Sequence, residues 1–529
     1  MPQASTAHDS FWDFISLLPE STHMVMWILS DRTIPRSFRT MQGFGVHTFR
    51  LVNAEGKSRF VKFHWKPIAG VHSLVFDEAQ RLAGKDPDFH RRDLWDAIEM
   101  GNYPEYELGV QIVEEGEESK FDFDILDATK IIPEDLVPVR PIGKMVLNRN
   151  PDNFFAETEQ VAFKPSNVVP GIDFSDDPLL QGRIFSYHDT QLHRLGSPNF
   201  THLPINRSLC PFHNNHQDGR MQSEIKTSRV NYSPNSLGDN HPAPMPASEG
   251  AFVSYPEQVE GRKVRERSPS FGEHFSQATL FWNSLSQIEK EHLISASHFE
   301  LGKVQDKGVR QRMVERFNQV DHELAKLVAM GIGIPAPSAP ATENHGHKSE
   351  FLSQQKTTMT AKGRKVAILA MDGVEANQLT AMKQALQKAG VMSQVVSKFG
   401  GEIKGSNGQA IPVDKTFLTS ASVMFDAIYV PGGAQSISAL KAEAEAIHFV
   451  DEAYKHCKAI AATDEGVEVL KAAAINSGSL AGNGHRIQQD QGIVTGQGSA
   501  DMLQVSQVFI EAIAQHRYWL RTDKVMMPA

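Results

Sequence analysis

Residues 183–200 read RIFSYHDTQLHRLGSPNF. Taken as a helix, the stretch sets Arg183, Tyr187, Gln191 and Arg194 at i, i+4, i+8 and i+11, which lie on one face. Arginine keeps its proton at any ordinary pH, so it favours the ionised form of a neighbouring phenol. A phenolate held in this way is a hard anionic ligand suited to ferric iron. The same spacing also suits a surface helix with ordinary i,i+4 support, so the rest of the chain has to decide between them.

The 529 residues are enough for two or three domains. The apolar fraction of 40% and charged fraction of 22% are ordinary for a globular protein. A net charge of −10 gives no general attraction for nucleic acid or an anionic membrane. The two cysteines, Cys210 and Cys457, lie too far apart in sequence for a disulfide framework or a Cys-based zinc site. No run reaches the apolar length of a transmembrane helix. The first ten residues, MPQASTAHDS, lack the basic and apolar regions of a signal peptide, so a soluble cytoplasmic protein is expected.

Before the opening stretch, residues 11–17 and 23–29 read as short apolar helices. Residues 45–53 and 59–65 read as a hairpin around a Gly-containing turn. Residues 74–103 read as helix, 106–113 and 120–126 as a second hairpin, and 145–147 as a short strand. Few strands alternate with helices, so this part is expected to be antiparallel β with attached helices. Residues 150–260 are punctuated by Pro, Asn, Asp and Gly, as in long loops that cover a site or wrap a neighbour. Residues 270–330 turn helical, and 334–363 read as a flexible linker. From Arg364 onward, strands at 365–370, 393–396, 427–430 and 459–462 alternate with helices, which argues a doubly wound parallel sheet.

The segments SFWDFISLLPESTH, SDRTIPRSFRTMQGFGVHTFRLVN, FVKFHWKP, DPDFHRRDLWDAIE, FDFDILDATK and NPDNFFAETEQVAF, with R-x-F-x-Y-x-D-T-Q and R-L-G-x-P-N-F, resemble the large-subunit haem catalases. The resemblance runs from Ser10 to Ile332. It implies haem, as protohaem b or its oxidised d form, with iron ligated by Tyr187. Tyrosine is the known axial ligand of that family. It further implies that Arg183 holds the tyrosinate and that Arg194 pairs with a haem propionate. The reaction implied is decomposition of hydrogen peroxide to water and dioxygen under oxidative stress, in a homotetramer with no nucleic-acid or membrane partner.

The family also uses a distal histidine as acid and base on the peroxide, and a distal asparagine that orients it. Both lie ahead of the SFWDF segment in the family pattern, and this chain shows neither motif. His47 reads as a structural strand residue. Four strands and a short fifth also fall short of the eight or so that a filled barrel needs. The chain is therefore expected to be an N-terminally truncated catalase, weak or inactive alone. Lys164 stands where some members carry a histidine that cross-links to the tyrosine, so no such bond is expected.

In the C-terminal part, MDGVEANQL, VPGG and AATDEGVEVL resemble the class I glutamine-amidotransferase-like superfamily. Asp464 stands where active members carry the nucleophilic cysteine, so a structural role is expected. The fold class expected overall is α+β: a partial catalase-type antiparallel barrel with wrapping loops and helices, plus an α/β flavodoxin-like domain. The divisions are 1–260 for the core, 261–333 for a helical segment, 334–363 for the linker and 364–529 for the last domain. Two other readings stay open: a haem protein acting on organic or lipid hydroperoxides, and a non-catalytic haem-binding fragment.

Overall fold

The protein, seen here as a computed structural model, is described for residues 8–209, 214–258, 261–262, 264–473, 475, 480, 487–496, 501–521 and 523–527. Cys210 lies outside these residues.

The chain enters through α1 (His8–Leu17) and α2 (Thr22–Leu29), then β1 (Gly43–Phe44), β2 (Phe49–Val52) and β3 (Ser58–Pro67). His47 is thus in the bend just ahead of β2 and not in a strand. The single helix expected over 74–103 is two, α3 (Phe76–Lys85) and α4 (Phe89–Glu99). Pro87 explains the break, because the residue before a proline is steered out of helix geometry, and Asp86 is extended at φ −150°.

Next come β4 (Glu105–Glu114) and β5 (Arg140–Val146). The return strand expected at 120–126 is absent. Asp124 and Asp127 accept hydrogen bonds from the backbone N–H of Leu126 and Thr129, both at 2.8 Å. Such local bonds offer the backbone an alternative to a strand ladder. Phe121, Phe123 and Ile125 still turn inward and pack with Phe60 and Val113. An unforeseen strand, β6 (Ile172–Phe174), pairs antiparallel with β2 inside the loop-rich region.

These strands form one antiparallel sheet in the order β5-β4-β3-β2-β6, with β1 also on β3. Among the described residues six strands are found where four and a short fifth are expected. Among the described residues the sheet does not close into a barrel: β5 and β6 remain its edges.

After β6 comes α5 (Pro178–Leu195). It starts five residues before the expected Arg183, because Asp177 caps it and Pro178 occupies the first turn, where a missing N–H costs nothing. It stops at Gly196, whose φ of +75° is the left-handed conformation glycine adopts readily. Four helices follow: α6 (Ser276–Ser284), α7 (Gln287–Gly302), α8 (Lys307–Val320) and α9 (His322–Ile332). With α1 and α2 they bury a core around Trp12, Met26, Phe281, Leu293 and Phe317.

The segment 334–363 is irregular as expected, but it is docked along the core. Leu352 joins the helical core. Glu289, which caps α7 through Ser286, also accepts from the Ser353 hydroxyl at 2.7 Å and the Gln354 N–H at 2.8 Å.

The C-terminal part comprises β7 (Lys365–Leu369), α10 (Ala376–Lys388), β8 (Met392–Ser397), β9 (Gly401–Lys404), β10 (Ala410–Val413), β11 (Lys415–Thr416), β12 (Ala427–Val430), α11 (Ala434–Ala442), α12 (Ala444–Lys455), β13 (Ala459–Thr463), α13 (Val467–Ala472), β14 (Ile487–Asp490), β15 (Ile493–Gly496) and α14 (Met502–Ala514). Its main sheet runs β11-β8-β7-β12-β13-β15-β14, parallel except at β14. Side chains alternate between two cores, as strands with period two require. Ala367, Leu369, Ile428 and Ile460 pack on the α11–α13 side. Val366, Ile368, Tyr429 and Ala461 pack on the α10 and α14 side.

Candidate functional site

The site is built on α5 and on the start of β2. Arg183 and Tyr187 are one turn apart and both half-buried. The Arg183 Nη2 donates to the Tyr187 phenol oxygen at 2.7 Å, and its guanidinium carbon sits 4.7 Å from the ring centroid. The helical pairing expected from the spacing is therefore present.

Arg183 does not act alone. Its other amino group, Nη1, donates to the His47 Nε2 at 2.8 Å. Arginine only donates, so Nε2 must be the accepting nitrogen. The ring proton then sits on Nδ1, which donates to the Asp177 carboxylate at 2.7 Å. Asp177 is 0% exposed, and its other oxygen accepts from the N–H groups of Leu179 and Leu180 at 2.9 and 3.0 Å. One carboxylate thus starts α5 and anchors a chain of bonds that ends on the phenol. Burial works to raise the Asp177 carboxyl, but hydrogen bonds from His47, Leu180 and Leu179 outweigh it and hold the group below its ordinary value.

Strand pairing brings these parts together. β6 lies on β2 with Phe174 opposite Phe49. The Ser175 hydroxyl donates to the Thr48 carbonyl. That contact sets the start of α5 beside the bend holding His47. Beneath it, the buried Lys62 donates to the Val46 carbonyl at 2.6 Å, and burial pushes its ammonium down to about 8 against the pull of Asp177.

Arg194 lies on the same helix but is not part of this chain. Its guanidinium donates to the carbonyls of Glu159 at 2.6 Å and Val161 at 2.5 Å, and to the Gln191 side chain. Those bonds tie α5 to the preceding loop. Of its five N–H groups, one on Nη1 meets no acceptor among the described residues. Lys164 sits 5.9 Å from the Phe200 ring centroid, a cation–π contact.

His47 and Asp177 are the residues that sequence reasoning missed. His47 carries no local signal, because its partners are 130 and 136 residues away. Asp177 did carry one: Asp-Pro ahead of a helix is a start signal.

A haem-type cofactor fits this donor set. The phenol oxygen already faces a donor that cannot be deprotonated, which suits an anionic iron ligand. A single protein oxygen supplies one ligand, and a macrocycle such as haem brings others of its own. His47, bonded on both ring nitrogens, serves Tyr187 and is not placed to work on a substrate.

In the C-terminal part, Asp464 sits at φ +47° on the turn from β13 to the following helix. It lines a cleft of about 580 Å³ with Glu375, Gln378 and Glu465. Cys457 is 1% exposed, in the turn after α12 and not within a helix, and burial pushes its thiol up.

Three family models match successive parts of the chain. They are Catalase over residues 1–239, Catalase-related immune-responsive over 268–332, and the C-terminal domain found in long catalases over 362–523. The chain is 54% identical to Catalase-2 of Bacillus subtilis, over 98% of this chain and 74% of that one. It is 51% identical to Catalase HPII of Pseudomonas putida and 48% identical to Catalase-1 of Neurospora crassa, each over 98% of this chain and 72% of the relative. These matches give no support to the glutamine-amidotransferase-like resemblance or to the expected truncation. With about half of its residues shared with several named catalases over nearly its whole length, the chain belongs to the family of large-subunit catalases.

Proposed function

We propose that the chain holds haem iron through Tyr187 and decomposes hydrogen peroxide to water and dioxygen, as its family does. The observation that carries this reading is the run of hydrogen bonds Asp177–His47–Arg183–Tyr187. When bound, the haem supplies the redox chemistry, with protohaem b and its oxidised d form both compatible. Arg183 keeps a positive charge on the phenol oxygen. His47 accepts from one amino group of the guanidinium and so steadies it, and Asp177 fixes the His47 tautomer. The remaining N–H of Arg194 is the partner we assign to a propionate. No residue of this chain is assigned to proton transfer on the peroxide, so haem binding and turnover are read separately.

The last domain is read as flavodoxin-like, supported by its parallel sheet with a core on each face. Asp464 then stands at the turn where a nucleophile would sit, which favours a structural role over hydrolysis. A cytoplasmic homotetramer is the assembly we favour, supported by exposed apolar side chains such as Phe155, Phe163 and Phe185 along the loop-rich region. No helix among the described residues is long and apolar enough to cross a membrane.

The test is reconstitution of the full chain with haem, followed by an absorption spectrum and an oxygen-release assay. The expected spectrum is that of ferric haem ligated by tyrosinate, and Tyr187→Phe loses it. A wild-type chain that binds no haem, or a Tyr187→Phe chain with an unaltered spectrum, overturns the assignment. Preference for lipid hydroperoxides over hydrogen peroxide would favour the other haem chemistry.

A further inference from the structure

A cavity of about 520 Å³ opens where the catalase core meets the C-terminal domain, and both supply its walls. From the core come Phe11 and Trp12 of α1, Phe76 at the start of α3 and Phe299 of α7. From the C-terminal domain come Cys457 and Trp519. None of the lining residues lies on α5 or β2, so the cavity is a place apart from the Tyr187 site. Small-molecule sites are typically cavities of about 300–1,000 Å³ with mostly apolar walls, and they favour the junctions between domains.

The walls carry aromatic pairs. Phe11 and Trp12 meet edge to face with ring centroids 5.1 Å apart, and Phe76 and Phe299 do so at 4.5 Å. Trp519 meets the His292 ring in the same way at 5.2 Å. Phe11, Phe76, Phe299 and Trp519 are only half-buried, so part of each ring stays open. A flat aromatic ligand gains both burial and ring–ring contact from such surfaces.

The charged groups around the cavity are already paired. His292 meets Asp31 at 2.8 Å. Asp77 receives His456 at 2.9 Å and Lys455 at 3.6 Å, and the bond from His456 leads the interactions that hold its carboxyl well below the ordinary value. Lys524 donates to the Trp519 carbonyl at 3.0 Å, and Glu300 also has a partner. Burial lowers His456 and raises Cys457, which keeps both neutral. Among the described residues of the wall, three carboxylates (Asp31, Asp77 and Glu300) face two ammonium groups (Lys455 and Lys524), a balance that disfavours an anion. Because each carboxylate has its partner, a cation entering would lose its water without a free counter-charge, which is costly. A neutral ligand meets neither penalty.

We propose that this cavity binds a neutral, planar aromatic molecule of bicyclic size. Such a ligand touches both domains at once and so strengthens the docking of one on the other.

The probe is bromoindole, which is neutral. Bromotryptamine and bromoindole acetate, with bromine on the same ring carbon, are its cationic and anionic counterparts. Crystals of the full chain soaked in bromoindole, with diffraction recorded at the bromine absorption edge, are expected to show an anomalous peak in contact with Phe299 or Trp519. In solution, bromoindole at about 100 times its dissociation constant is expected to raise the unfolding temperature by about 2–4 °C, and its charged counterparts by about half as much or less. Ser295 is an exposed residue of the wall, and Ser295→Trp places a ring in the cavity, so binding is expected to weaken about tenfold or more. If that variant fails to fold, the crystal map and the charge series still decide. A crystal with no bromine in the cavity, or with bromine at the Tyr187 site alone, overturns the proposal. So does an equal thermal response to all three compounds, and so does a peak without any thermal response, which is binding at crystal concentration only.

Discussion

Asp177 has two roles, and two substitutions separate them. Alanine removes both. The cap on Leu179 and Leu180 is worth about 0.5–2 kcal/mol. Leaving the buried His47 Nδ1–H without an acceptor costs about 1–3 kcal/mol. The two effects share one carboxylate and will not add fully, so a loss of about 2–4 kcal/mol is expected. Asparagine caps a helix about as well as aspartate. It keeps an oxygen for Leu179 and Leu180 but turns an amide donor, or a weaker neutral acceptor, toward His47. Its expected cost is about 1–3 kcal/mol, from the His47 side alone.

Native-state hydrogen exchange reads this locally, without requiring the whole chain to unfold in one step. At 1.36 kcal/mol per decade, protection across the first turns of α5 should fall about 30- to 900-fold in Asp177→Ala. In Asp177→Asn it should fall about 5- to 160-fold. The pH dependence gives a second reading. The Asp177 carboxyl is held below its ordinary value in the fold. Its contribution is therefore fully present above the unfolded value of about 3.9 and is lost as pH falls through the lower folded value. Wild-type protection should hold from neutrality down to about pH 4 and then decline, and Asp177→Asn should remove that decline. Protection unchanged in both variants would refute the bond chain. Equal losses in both would refute the separation of cap from relay.

Three further outcomes are expected. Arg183→Lys offers one ammonium where two amino groups now serve His47 and Tyr187, so haem should be retained with an altered tyrosinate absorption band and turnover about 10–100-fold lower. Asp93→Asn leaves Arg39 and Lys365 without their buried partner, and thermal unfolding should show a loss of about 3–5 kcal/mol. A Cβ at Gly109 would lie 2.3 Å from the Val139 Cγ1, so Gly109→Ala should cost about 1–3 kcal/mol, with Val139→Ala restoring much of it in a denaturation assay.

The parts of the fold that follow from local periodicity were the parts legible in sequence. The apolar strands β7, β12 and β13 begin where their patterns say, and β3 and β4 lie within a residue or two of expectation. The run at 120–126 alternates Phe and Asp as a strand should, yet Asp124 and Asp127 spend their carboxylates on nearby N–H groups. Alternation fixes which side chains turn inward; it does not say which partner the backbone takes. Pro and Ser in 334–363 signalled a linker, and the irregularity is real. What composition cannot show is that Glu289 would reach across to hold it.

The same distinction runs through the site. Arg183 and Tyr187 are neighbours because one helix makes them so, and a spacing of four finds them. His47 joins them only because β6 pairs with β2 and because Asp177, three residues past the end of β6, begins the helix. The Tyr187 side of the site therefore rests on a single antiparallel pairing and a single cap, both between residues 47 and 187. It does not depend on whether the sheet closes. A chain built this way should present a prepared phenol oxygen to haem even where turnover is low. Haem binding, rather than oxygen release, is thus the measurement that most directly examines what these residues do.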